Sequence, residues 1–149
     1  MHYSFRHDRI SALAALSITA QRKHLGLYVK FQQENFRTPN VVLFLRNLLK
    51  HLRGKVIILC DSAKIHKGPL IRNLLKQYPR LQIEYFPGYA PELNPVEQIW
   101  NDFKRHTANS IPLEKQDVRI ALHNNTRRVR RSQQKLRSFI LSSELPSSP

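Results

Sequence analysis

Apolar residues fall along this chain in short runs and in helical stripes, separated by polar and proline-bearing breaks. Ile10–Leu16 (ISALAAL) and Leu25–Phe31 (LGLYVKF) have strand length, and the second is rich in β-formers. The polar, basic stretch SITAQRKH lies between them, so the pair reads as an antiparallel hairpin with a longish loop. Residues 1–9 carry no periodicity. Thr38-Pro39 reads as a helix start, a capping hydroxyl followed by proline at the first helical position. Val41, Val42, Leu45, Leu48, Leu49 and Leu52 then recur at helical spacing, and Gly54 marks the stop.

Val56–Cys60 is a continuous apolar run, the pattern of a strand buried on both faces. Pro69–Tyr78 follows as a short helix and Leu81–Phe86 as another strand. That order implies a right-handed crossover and parallel neighbours. Pro87 and Pro91 exclude regular structure from residues 87–94. Pro95–Thr107 is an amphipathic helix with Val96, Ile99, Trp100 and Phe103 on one face. Leu113–Val129 carries a looser stripe of Val118, Ile120, Leu122 and Val129, and Leu136–Leu141 predicts a last short helix. Ser142–Pro149 is expected to fray. No internal repeat or linker divides the chain, so residues 1–141 read as one α/β domain.

Composition sharpens this picture. The 149 residues hold 25 Lys and Arg against 10 Asp and Glu, a net charge of +15. Charge of that size, spread along the chain, points to a polyanionic partner, nucleic acid first among them. A hydrophobic share of 41% excludes compositional disorder. The single cysteine, Cys60, excludes an intrachain disulfide and fits a reducing compartment. No apolar run approaches the roughly 20 residues needed to cross a bilayer, and no signal-type core follows the N-terminus. A cytoplasmic location and no membrane partner are the expectation.

Two acids stand at element ends. Asp61 closes the Val56–Cys60 run, where a charge is costly unless paired or bound to a metal. Glu97 sits in the first turn of the helix opened by Asn94-Pro95. Two such carboxylates sharing a cation is the arrangement of metal-assisted phosphoryl transfer. Structural roles fit each residue singly. Asp61 suits a turn after its strand, and Asn94, Pro95 and Glu97 suit an N-cap, N1 and capping box.

The residues also carry a family likeness. Asp61 after Val-Ile-Ile-Leu-Cys, His66 five positions on, and Phe86-Pro87-Gly88-Tyr89-Ala90-Pro91-Glu92-Leu93-Asn94-Pro95-Val96-Glu97 with Trp100 and Lys104 resemble the DDE transposase catalytic domain. The likeness is to the mariner superfamily and its bacterial insertion-sequence branch, whose motif Y-[SA]-P-x-L-N-P-[IV]-E-x-x-W is highly specific. It runs from about Ile10 to Leu141. It implies an RNase H-like mixed sheet flanked by helices and Mg²⁺- or Mn²⁺-dependent DNA cleavage and strand transfer. Asp61 matches the family's second catalytic and metal-holding acid, and Glu97 the third.

The family's first Asp lies on a first, central strand upstream of the hairpin, and this chain begins too late to include it. Asp8 precedes the hairpin with no apolar run before it and does not match that position. Ser62 stands where relatives often have Asn. Without the central strand, two half-sheets are expected to face each other across a gap of about two strand spacings, roughly 9–10 Å. Self-association or a second polypeptide supplying the strand follows as an expectation. So does little activity for the chain alone, whether it is a split reading frame or a decayed fragment. The alternative is a non-catalytic basic DNA-binding remnant that regulates an intact transposase.

Several residues have phosphate contact as one reading and structure or solvation as the other. Lys64, His66 and Lys67 follow Asp61, and Lys104 lies two turns beyond Glu97. Arg127, Arg128, Arg130 and Arg131 make a dense basic run. Trp100 reads as core, and Tyr89 as either a base-stacking or a loop-packing residue. The seven histidines show no zinc spacing.

Overall fold

The structure, a computed structural model, describes residues 3–5, 10–21, 23–88, 90–109 and 115–143. Asp8, Tyr89 and residues 144–149 lie outside the described residues. The hairpin forms as the sequence predicts: β2 (Ile10–Ile18) and β3 (Leu25–Gln32) pair antiparallel, with Ala12 opposite Phe31 and Ile18 opposite Leu25. Thr19 closes the loop, its hydroxyl accepting from the Lys23 and His24 amides. A short strand precedes them where no periodicity shows. This β1 (Tyr3–Phe5) pairs antiparallel with β2 at Ile10–Ala12.

Helix α1 (Thr38–His51) is stopped by Leu52, and Gly54 takes a left-handed φ of 71° just beyond. Its start differs from the expected Thr38 cap. Arg37 is the N-cap residue, and its amide donates to Asn40 Oδ1 at 2.8 Å. Arg80 then ties down the exit of the helix, its guanidinium donating to the carbonyls of Leu52 (2.8 Å) and Gly54 (3.0 Å). Strand β4 (Val56–Cys60), helix α2 (Pro69–Gln77) and strand β5 (Leu81–Tyr85) make the expected crossover, with β4 and β5 parallel and Val56 opposite Leu81.

Three helices complete the chain: α3 (Pro95–Asn109), α4 (Lys115–Arg130) and α5 (Gln133–Ser142). The proline loop before α3 holds one 3₁₀ turn, Pro91–Leu93, which the fixed φ of Pro91 permits at its first position. In α4 the expected stripe is narrower. Val118, Leu122 and Val129 are buried, whereas Ile120 is exposed.

Two cores result, one on each face of β2. Alternate residues Ile10, Ala12 and Ala14 pack with Leu25, Leu27, Trp100, Phe103, Leu122 and Leu136 under α3–α5. The opposite residue Leu13 packs with Phe44, Leu45 and Leu48 of α1, Val56 of β4 and Leu81 of β5. Helix α1 therefore bridges the two strand groups through side chains. Backbone hydrogen bonds do not bridge them: among the described residues the strands form one sheet ordered β1-β2-β3 and a separate pair β4-β5.

A cavity of about 570 Å³ lies between them, lined on one side by residues 13–20 and on the other by residues 55–61. Facing that opening, β4 is not buried on both faces. Val56 is buried, but Ile57 and Leu59 remain 56% and 52% exposed. The continuous apolar run reflects a strand with only one face covered by α1 and α2, not two.

Candidate active site and basic surfaces

The end of β4 delivers Asp61 into a short irregular segment. Its carboxylate Oδ1 accepts from the Ala63 amide at 3.0 Å, so the turn-closing role is real. The same oxygen lies 3.0 Å from His66 Nδ1. His66 is buried in a single 3₁₀ turn, Lys64–His66, and its carbonyl accepts from the Tyr85 hydroxyl at 2.8 Å. Ser62 Oγ donates to the Phe86 carbonyl at 3.3 Å, which pins this segment to the end of β5. Hydrogen bonding from His66, helped by the Ala63 amide and opposed by burial, holds the Asp61 pKa down to about 2. The carboxylate is thus ionised across the whole neutral range.

Glu97 arrives from the other strand group, on the first turn of α3. Asn94 caps that helix, its Oδ1 accepting from the Val96 amide at 3.1 Å. The reciprocal half of a capping box is not made, because the Asn94 amide donates instead to the Pro91 carbonyl. Glu97 is therefore released from the structural role its spacing allowed. It is half-buried, and burial raises its pKa; the Lys104 ammonium opposes that shift and the Asp61 charge adds to it. Of these influences on Glu97 the Asp61 charge is the smallest. Asp61, His66, Asn94, Pro95 and Val96 all border the cavity between β2 and β4.

Two carboxylates in one electrostatic neighbourhood suit a hard cation such as Mg²⁺, which takes few protein oxygens and completes its shell with water and phosphate. Among the described residues no group of three or more His, Cys, Asp or Glu is close enough to hold a metal ion.

The predicted basic residues divide. Lys64 is exposed beside the acids, and the Lys67 ammonium lies 4.8 Å above the centre of the Tyr85 ring. Arg128 and Arg130 have structural partners. Arg128 donates to Asp102 Oδ2 at 2.6 Å and to Asn125 Oδ1, and Arg130 Nε donates to the Leu27 carbonyl at 2.8 Å. Arg127 and Arg131 are exposed on the same helix end.

Sequence reading missed Asp102. It is fully buried in α3, and Arg128 and Lys135 reach its two oxygens at 2.6 and 2.9 Å. This acid locks α3, which carries Glu97, to α4 and α5. The signal was available: Asp102 follows Ile99 by three residues and adjoins Phe103, which puts a charge on the apolar face.

Comparisons with known proteins agree with this architecture. The chain aligns with a solved structure titled the catalytic domain of Mos1 mariner transposase at a TM-score of 0.58. The alignment covers 95% of this chain and 78% of that one, at 15% identity, so the likeness is one of fold: an RNase H-like α/β arrangement. A 39 kDa protein of insertion element IS630 from Shigella sonnei is 37% identical over 60 residues, which span 36% of this chain and 18% of that protein. No helix among the described residues is long and apolar enough to cross a membrane. Residues 4–119 match the family described as DDE superfamily endonuclease, and the chain belongs to that family.

Proposed function

We propose that this chain provides two of the metal-holding carboxylates, Asp61 and Glu97, for cleavage and strand transfer at DNA phosphodiesters. The observation that supports this most is placement: Asp61, at the end of β4, borders the cavity between the strand groups, and so do Asn94, Pro95 and Val96, which lead directly into Glu97. A bound Mg²⁺ or Mn²⁺ would activate the attacking oxygen and neutralise the leaving one. The chain's own part is to hold ionised oxygens in place and to bind the DNA. Lys64, Lys67 and Lys104 are candidate phosphate contacts, whereas His66, expected from sequence to be another, is buried with Nδ1 turned to Asp61. Arg127, in the last turn of α4, and Arg131, just beyond it, are exposed charges with no ion-pair partner among the described residues, while Arg128 and Arg130 support that surface through their protein partners.

We infer that a third carboxylate joins these two on a further strand placed in the cavity between β2 and β4. Among the described residues the edges of β2 and β4 that border the cavity have no strand partner, except that β1 covers β2 at Ile10–Ala12, so backbone groups are open from Leu13 onward. We assign that space to an extended strand from a partner polypeptide or a second copy. A second reading, a basic DNA-binding regulator without catalysis, is favoured by the lack, among the described residues, of any group of three or more His, Cys, Asp or Glu able to hold a metal ion.

The test is nicking and strand transfer on plasmid DNA with Mg²⁺ or Mn²⁺. The chain alone is expected to bind DNA in a salt-dependent way with little or no strand transfer. With an added polypeptide bearing an apolar strand ended by Asp, activity should appear and vanish in Asp61→Asn and Glu97→Gln. Cleavage that survives both substitutions refutes the acidic-pair reading. Binding without cleavage in every combination favours the regulator.

A further inference from the structure

We propose that His66 is a positioning residue for Asp61, selecting which carboxylate oxygen is left to face a cation. The inference rests on the metal-holding reading above. His66 Nδ1 lies 3.0 Å from Asp61 Oδ1 and 3.2 Å from the Asp61 backbone carbonyl oxygen. An ionised carboxylate and a carbonyl both only accept, so Nδ1 must carry the proton. In the neutral ring Nε2 is then the bare nitrogen.

The turn amide and the imidazole act together on one atom. A single donor, the Ala63 amide at 3.0 Å, fixes one point of the carboxylate and leaves its plane free to swing about the Cβ–Cγ bond. A second donor on Oδ1 from a different direction fixes the plane. Among the described residues none donates to Oδ2. Tilting the carboxylate plane away from this setting would weaken both contacts at once.

The ring itself is held. His66 is only 6% exposed, its amide donates to the Ala63 carbonyl at 3.0 Å, and its carbonyl takes the Tyr85 hydroxyl. Position thus passes from β5 through Tyr85 and His66 to the acid at the end of β4. Partners of this kind, which orient a metal ligand without touching the metal, typically change metal affinity by about 10–100-fold when lost.

The experiment is a Tb³⁺ titration of the purified 149-residue chain, read by luminescence sensitised through Trp100, the sole tryptophan, one turn beyond Glu97. The His66→Asn amide nitrogen falls where Nδ1 sits and keeps the donor; His66→Ala removes it. Wild type and His66→Asn are expected to bind alike, and His66→Ala about 10–100-fold more weakly, with unchanged circular dichroism. Equal affinity of His66→Ala and wild type, or His66→Asn as weak as His66→Ala, overturns the assignment.

If wild type binds no Tb³⁺, or Asp61→Asn binds as well as wild type, the metal-holding reading has failed instead. Positioning is then decided by the ring-nitrogen NMR spectrum of His66. A proton on Nδ1 that is lost to a mixture of tautomers in Asp61→Ala supports it. A wild-type ring protonated on Nε2, or one unaffected by Asp61→Ala, overturns it.

Discussion

The two strand groups are built to different standards. Around β2 and β3, three helices close one face, and Trp100, Phe103, Ile99, Leu122, Val129 and Leu136 are wholly buried. Around β4 and β5, helices α1 and α2 close one face, and Ile57 and Leu59 stand exposed on the other. Glu97 belongs to the well-covered group and Asp61 to the half-covered one. The site therefore depends on a rigid partner and a less secured one held in register by α1 and Leu13. Segments with fewer buried contacts open more readily, so the position of Asp61 is the part of the site most open to change by a partner.

Core damage in the covered group should be the most costly change. Trp100→Ala is expected to cost about 3–5 kcal/mol in denaturant unfolding, through the volume it leaves beneath α3–α5. A cost below about 1.5 kcal/mol would mean that this half is packed no better than the other.

Next in size is Asp102→Asn. The acid is buried while its cations reach solvent, so the loss should fall near the low end for breaking a buried ion pair, about 3 kcal/mol. Because Asp102 sits on the helix that presents Glu97, any metal affinity should fall together with stability. Loss of stability with affinity intact would show that α3 is placed by its apolar face alone.

The double substitution Ile57→Thr with Leu59→Thr probes the open face of β4. Both side chains are already more than half exposed, so unfolding free energy should move by no more than about 1 kcal/mol, on the scale of surface changes. The same variant should lose the response to any added strand. A stability loss comparable with that of Trp100→Ala would show this face to be covered in solution.

The smallest effect expected is on pH dependence. The folded pKa of Asp61, about 2, lies below its usual value of 3.8. Its contribution to stability is therefore complete above the usual carboxylate range and drains as pH falls toward 2. Glu97 has the opposite sign, since burial raises its pKa and protonation relieves the folded state. As pH falls, metal affinity should be lost first through Glu97, and only at lower pH through Asp61. Calorimetric metal titrations at several pH values check the order. A single step at the Asp61 value would show that Glu97 holds no metal.

Much of this was legible in the residues. The hairpin, α1, the β4–α2–β5 crossover and α3 follow from apolar spacing and from the punctuation of Pro39, Gly54 and Pro95. The acids were marked by where they stand in the pattern, and the motif ending at Trp100 marked the family. Other features were hidden for physical reasons. Tyr3–Phe5 forms a strand by pairing with β2, which no local periodicity records. Arg128 and Arg130 look alike in sequence to Arg127 and Arg131, and only distant partners, Asp102 and the Leu27 carbonyl, separate their roles.

By itself the sequence determined the order and type of the main elements, the cationic character and the standing of Asp61 and Glu97 at element ends, because these depend on neighbours a few positions apart. The tertiary structure decided that β2 and β4 face each other across a cavity, and that Asn94 frees Glu97 while His66 engages Asp61. It also decided which arginines are already spoken for. Each of these depends on which groups, far apart in the chain, satisfy each other's hydrogen bonds and charges once apolar burial has brought them together.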